Sequence, residues 1–133
     1  EMAAFAGFLT GREAAKYMKA RNEGSIFFTG ATASIRGGSG FSAFASAKFA
    51  LRAISQSMAR ELGPQGIHVA HFIIDGAIDT AFIKENFPDR YALKEKDGIL
   101  QPDAIADAYW FVHTQHRSAW THELDLRPYM EKF

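Results

Sequence analysis

What most constrains this chain is where its apolar residues run without alternation. Residues 25–29 (Ser-Ile-Phe-Phe-Thr) and 67–74 (Ile-His-Val-Ala-His-Phe-Ile-Ile) carry large apolar side chains on neighbouring positions. A strand with one wet face alternates apolar and polar. A strand covered on both faces does not, and such strands belong to parallel sheets packed between helices. The stretches around these runs have the helical period instead. Phe5, Phe8, Leu9 and Met18, with Ala14 and Ala15 between, fall at helical spacing. Lys16, Lys19 and Arg21 suit the end of that helix, where the dipole favours cations. Asn22-Glu23-Gly24 closes it, with Gly24 available for a left-handed cap.

A second helix is predicted over residues 41–62. It has an apolar face (Ala47, Leu51, Ile54, Met58, Leu62) and a stripe of small residues (Ser46, Ala50, Ala53, Ser57). That stripe suits close packing, either on the first helix or on another chain. Gly63-Pro64-Gln65-Gly66 ends the helix. After the second strand, Asp75-Gly76 turns the chain and Asp79-Thr80 caps a short helix through Phe87. Residues 86–98 are polar and read as a mobile loop. Pro102 and Asp103 open another helix with Ile105, Ala108, Tyr109 and Val112 on one side. Residues 120–126 form a third strand. Alternation of helix and strand implies an α/β fold with a parallel sheet. Phe5, Phe8, Phe27 and Phe28 are expected in its core.

The chain's 133 residues suit a single domain. Fifteen basic residues balance fifteen acidic ones, so nothing electrostatic recommends nucleic acid or an anionic membrane as a partner. No apolar run approaches the ~18–20 residues that span a bilayer. The start, residues 1–9, has neither the basic opening nor the cleavage pattern of a signal peptide, and it reads as a chain entering a fold part-way. The absence of cysteine excludes disulfides and thiolate metal sites and fits a reducing, cytoplasmic compartment. Imidazole metal sites are disfavoured too. His68 and His71 are three apart on a strand and point to opposite faces. His113 and His116 share a helical face without a third ligand in register, so no metal is expected.

The segment Phe44-Ala45-Ser46-Ala47-Lys48-Phe49-Ala50-Leu51 resembles the Tyr-x-x-x-Lys helix of the short-chain dehydrogenases/reductases. The likeness continues through Ser57-Met58-Ala59-Arg60-Glu61-Leu62, a Gly-Pro stop, and Gly66-Ile67-His68-Val69. Asp75-Gly76-Ala77-Ile78-Asp79-Thr80 then resembles the family's Pro-Gly-x-x-x-Thr segment, with Asp for Pro. The resemblance implies a Rossmann-like fold: the C-terminal half of a doubly wound parallel sheet, without the N-terminal dinucleotide-binding half. It implies hydride transfer between NAD or NADP and a carbonyl or alcohol. It places Lys48 at the lysine position, Phe44 at the tyrosine position and Ala31 at the serine position, with Thr32 adjacent. The asparagine position falls on Ala4. By the same resemblance Lys48, Gly76, Ile78 and Thr80 face the cofactor, and residues 3–21 and 41–62 build a homodimer.

With Phe44 there is no phenol to donate a proton, and loss of a general acid typically costs ~10²–10⁴-fold in rate. The chain is therefore expected to be an oxidoreductase by descent that is inactive, or nearly so, as this fragment. The alternative is a non-catalytic dimerising or binding module of the same fold. A competing reading takes Thr29-Gly30-Ala31-Thr32-Ala33-Ser34-Ile35-Arg36-Gly37 as a cofactor loop, although Ser34 stands where a second glycine belongs. In the family a further strand flanks residues 25–29. Without it that strand has an open edge, which argues for a longer parent polypeptide.

Overall fold

Burial of one strand on every side organises the molecule. A computed structural model describes residues 2–133 and the side chains from Ala3 onward; Glu1 lies outside the described residues. The strands are β1 (Gly24–Ala31), β2 (Ile67–Ile74) and β3 (Glu123–Leu126), in the order β1-β2-β3. Both pairings are parallel, Gly24 to Ala31 matching Ile67 to Ile74, and His71 to Ile74 matching Glu123 to Leu126. All eight residues of β2 are buried, which is why its sequence lacks alternation. The fold is α/β and Rossmann-like, with helices on both faces of the sheet.

The two faces of β2 build two cores. Ile67 and Val69 join Ile26, Phe28, Leu51 and Leu62 beneath α1 (Met2–Arg21) and α2 (Ser42–Leu62). Ala70, Phe72 and Ile74 join Leu100 and Val112 on the other face, beneath α5 (Pro102–His113). Phe72 is wholly buried, a burial that contributes about 1.5–3 kcal/mol. Ile105 and Tyr109 of α5 pack on the second core as their spacing requires, and Tyr109 stacks on Phe72. None of the helices among the described residues is long and apolar enough to cross a membrane.

The first helix departs from its apparent pattern. Phe5 and Phe8, expected in the core, are 64% and 43% exposed. The face that α1 buries is instead small: Ala4, Gly11 and Ala15 are buried and Gly7 is half-buried between them. A Cβ on Gly7 would lie 2.5 Å from Leu51 Cδ1, and one on Gly11 would lie 2.9 Å from Met58 Cε and 3.0 Å from Phe28 Cζ. The large side chains of α2 and β1 fill the space that these small residues leave, so α1 lies close to both. The aromatic residues of α1 then have no core to enter. Phe27 and Phe28 do pack inside, on opposite faces of the sheet. The small stripe of α2 is also turned outward: Ser46, Ala50, Ala53 and Ser57 are all exposed.

Boundaries shift where local chemistry differs from the first reading. Asn22, at φ 52°, takes the left-handed position after α1, and Gly24 (φ 144°) already begins β1. β1 runs to Ala31, where a short 3₁₀ turn, Thr32–Ser34, leads toward α2. Residues 86–98 are not a loop. After α3 (Ala81–Asn86), α4 (Pro88–Tyr91) and a 3₁₀ turn (Ala92–Lys96) follow, closed by Asp97 in the left-handed region. β3 starts at Glu123 rather than Trp120, whose ring stacks on His68 at 4.5 Å between centroids. Among the described residues the outer edge of β1 pairs with no strand.

The inverted packing of α1 has a measurable consequence. Gly7→Val forces a side chain into the Leu51 contact and is expected to cost about 1–3 kcal/mol in urea unfolding. Phe5→Ser, on the exposed side, is expected to shift monomer stability by no more than about 0.5 kcal/mol. The reverse order would show that the aromatic face is the buried one.

Candidate active site at the carboxyl ends of β1 and β2

The carboxyl ends of parallel strands are where ligands bind in open α/β sheets, because the diverging loops leave a crevice there. Here a cavity of about 560 Å³ opens beyond β1 and β2. Ala31 and Thr32 line it from the end of β1, Phe41 and Phe44 from the start of α2, and Gly76 from the turn after β2. Four of the residues singled out from sequence (Ala31, Thr32, Phe44 and Gly76) thus share one cavity. Lys48 sits one helical turn from Phe44 on the same face. Its Nζ lies 5.8 Å from the Phe44 ring centroid and donates to the Thr29 carbonyl at 3.3 Å. Ile78 and Thr80 lie outside the cavity lining. Ile78 bridges to Leu100, and Thr80 caps α3 by accepting from the Ile83 amide at 3.3 Å. Ala4, at the asparagine position, is buried.

Sequence reading missed the ion pair that borders this cavity. Asp75 is wholly buried at the end of β2. Arg36 Nη2 donates to both of its carboxylate oxygens at 2.9 Å, and Thr32 Oγ1 donates to Oδ1 at 2.7 Å. The Thr32 hydroxyl is therefore engaged in holding Asp75. Arg36 is 40% exposed and is the only charged residue of the cavity lining among the described residues. The available signal was an aspartate following eight buried strand positions: an anion there requires a cation, and Arg36 is in reach. Gly76 follows with φ 150°, a conformation that L side chains rarely adopt, and a Cβ there would meet Pro128 Cδ at 2.9 Å.

The competing cofactor-loop reading of residues 29–37 fails on geometry. A pyrophosphate site of that kind needs a helix N-terminus directly after the strand. The chain instead makes one 3₁₀ turn, and α2 begins only at Ser42. Gly37 and Gly38 line the cavity wall.

A second polar network lies under β2. His71 is fully buried and donates from Nδ1 to Glu123 Oε2 at 3.0 Å. Arg52 holds the same carboxylate at 2.7 and 2.9 Å. Burial alone would raise the Glu123 carboxyl pKa, but the hydrogen bonds from Arg52 and His71 hold it below the usual value. On the opposite face His68 donates from Nε2 to the Thr121 carbonyl at 2.7 Å. Burial pushes both imidazoles toward the neutral form, lowering their pKa values. The two histidines face opposite sides of the sheet, as their spacing predicts. His113 contacts Ser25, and His116 caps a turn by accepting from the Ser118 amide. Among the described residues no group of three or more histidine or acidic side chains is placed to hold a metal ion.

The profile of the short chain dehydrogenase family matches residues 1–91. The chain is 53% identical to a short-chain dehydrogenase from Rhodopseudomonas palustris of known structure, with a TM-score of 0.74, covering 96% of this chain and 49% of that one. It is 31% identical over 110 residues to the (21S)-21-acetoxyl-apo-melianone synthase SDR of Melia azedarach, covering 77% of this chain and 40% of that protein. A closed serine dehydrogenase complexed with NADP+ shares the fold at 23% identity and a TM-score of 0.75, covering 92% of this chain and 51% of that one. The chain thus spans about half, or less, of the length of the proteins it matches.

The buried histidines set an expected pH response. Unfolded, His68 and His71 take up protons near pH 6.5; folded, they resist protonation to lower pH. Below 6.5 the unfolded state binds more protons, so stability falls as pH drops through that value and levels off once the folded imidazoles titrate. The lowered carboxyl of Glu123 adds a loss only below its ordinary value of 4.5. The urea midpoint should therefore be lower at pH 5.5 than at pH 7.5, a range in which ordinary carboxylates contribute little. A flat midpoint across it would show the imidazoles to be accessible.

Proposed function

Since the chain belongs to the short chain dehydrogenase family, we propose that it forms the substrate-facing half of an NAD(P)-dependent oxidoreductase acting on a carbonyl or alcohol. The observation that carries this reading is Lys48: its ammonium donates to the Thr29 carbonyl near the end of β1 and lies 5.8 Å from the ring centroid of Phe44, which lines the cavity. The nicotinamide cofactor, when bound, supplies or accepts the hydride. The residues present fit its nicotinamide end. Lys48 offers a cation without a carboxylate partner among the described residues, and Gly76 lines the cavity with backbone alone, its Cβ direction being closed by Pro128. Lys48 would hold the cofactor ribose, and Gly76 would admit the ring edge. The dinucleotide-reading half is supplied by a longer polypeptide whose further strand covers the open edge of β1. Intact mass of the native protein tests this, and a soluble monomer near 14.8 kDa would refute it.

The chain's own acid–base equipment is reduced. Phe44 carries no proton, Ala31 carries no hydroxyl, and Thr32 is committed to Asp75. Phe44 instead gives the substrate an apolar wall. Proton delivery then falls to water or to a group on the substrate, and the expected turnover is low. Titration of the full-length protein with NADH and NADPH, followed by nicotinamide fluorescence, should show binding that weakens in Lys48→Ala. Phe44→Tyr should raise carbonyl reduction by about 10²–10⁴-fold, because it restores a phenol one turn from the lysine. Absence of binding at millimolar cofactor would favour a non-catalytic module.

That second reading has its own support. The exposed Phe5 and Phe8 of α1 and the small residues Ser46 and Ala50 of α2 border one apolar groove of about 390 Å³. Exposed aromatics beside small side chains suit an isologous contact. The protein is accordingly proposed to be a cytoplasmic homodimer through α1 and α2, whether or not it turns over substrate. Ala50→Arg should convert it to a monomer in sedimentation equilibrium without loss of helical signal. An unchanged mass would place the dimer contact elsewhere or exclude it.

A further inference from the structure

Arg36, the one charged residue of the cavity lining among the described residues, points to a substrate class. We propose that Arg36, oriented by the buried Asp75, selects substrates that carry a carboxylate; this rests on the reading of the cavity as the substrate site. Three features support it. First, Arg36 uses a single nitrogen, Nη2, for both Asp75 oxygens, at 2.9 Å each. Nε and Nη1 make no other hydrogen bond among the described residues, and the side chain is 40% exposed. The planar fork of a guanidinium matches a carboxylate in a bidentate way that an ammonium cannot.

Second, the arginine is held in place. Asp75 is wholly buried and is itself fixed by Thr32 Oγ1 at 2.7 Å, so the guanidinium is ordered before a ligand arrives. Preordering removes part of the entropy cost of binding. Third, the charges around the site do not cancel. Arg36 is matched by Asp75, while Lys48 has no carboxylate partner among the described residues and donates only to the Thr29 carbonyl. Lys48 lies outside the cavity lining, so its charge favours an anion in the cavity at a distance and is shared with the cofactor. The remaining walls, Ala31, Phe41 and Phe44 among them, are apolar and suit a hydrocarbon or aryl body. A phosphate monoester fits less well, since its second negative charge would stand against the buried Asp75 carboxylate. A merely structural role for the ion pair, tying the loop after β1 to the end of β2, predicts no preference between an acid and its ester.

That difference is the test. The full-length protein is titrated calorimetrically with phenylglyoxylate and with 4-oxo-4-phenylbutanoate, each beside its methyl ester, with and without NADPH. The expected result is that at least one acid binds roughly tenfold or more tightly than its ester. In Arg36→Met combined with Asp75→Asn, which leaves no buried carboxylate unpaired, that ratio falls to about one; Arg36→Lys retains part of the preference. Equal affinity of acid and ester in the wild type, or no acid binding at millimolar concentration, overturns the assignment. So does a parallel loss of acid and ester binding in both variants, which marks the pair as structural. Acid selection that persists in a protein unable to bind any nicotinamide cofactor would sink the dehydrogenase reading and leave this assignment standing.

Discussion

Enclosure of β2 is the constraint on which the other features depend. Ile67, Val69, Ala70, Phe72, Ile73 and Ile74 are all buried between the two helix layers; β1 pairs along the whole strand and β3 along its second half, His71 to Ile74. A strand so enclosed exposes its first free backbone and side-chain groups only at its carboxyl end. Asp75 stands at that point, still buried, and its charge must be met within the fold because desolvating an unpaired carboxylate is costly. Arg36 and Thr32 meet it, which brings the loop after β1 down onto the end of β2 and shapes one wall of the cavity. The architecture of the sheet and the electrostatics of the candidate site are therefore one structural fact.

The same enclosure explains the histidines. His68 and His71 occupy positions where an apolar side chain would be unremarkable, and each makes one hydrogen bond. Among the described residues His68 Nδ1 and His71 Nε2 remain buried without a partner, as does His122 Nε2. In the neutral tautomers of His68 and His71 set by their partners these atoms are lone-pair acceptors, less costly to leave unpaired than buried N–H donors. Gly30 makes the burial of His71 possible, since a Cβ there would lie 2.5 Å from both His71 Nε2 and Ser34 Oγ. The helix face above supplies Arg52 for Glu123, so the network links α2, β2 and β3 through side chains as well as through the core.

α1 shows how far local pattern can mislead. Its phenylalanines have helical spacing, and helical spacing of large apolar residues ordinarily marks the buried face. Here the buried face is Ala4, Gly7, Gly11 and Ala15, a spacing equally helical but invisible to a count of large side chains. Close approach of two helices favours small residues at the contact, and the bulk is supplied by Leu51, Met58 and Phe28 from the opposing elements. The aromatic face is left exposed. The outward stripe Ser46, Ala50, Ala53 and Ser57 on α2 follows the same logic.

Much of this protein was legible in its residues. Unbroken apolar runs identified β2 to the residue and located β1, the Gly-Pro stop ended α2 at Leu62, and Thr80 was recognised as a cap, because each of these rests on backbone chemistry within a few positions. The Phe44–Lys48 pair also follows from spacing alone, since four residues make one helical turn. What tertiary structure decided are the matters that depend on partners distant in sequence. Asp75 and Arg36 are paired across thirty-nine positions. Thr32 spends its hydroxyl on that pair rather than on a ligand, and the phenylalanines of α1 face outward. Sequence periodicity reports which side chains share a face. Only packing determines which face meets the core, and which charges are left facing a ligand.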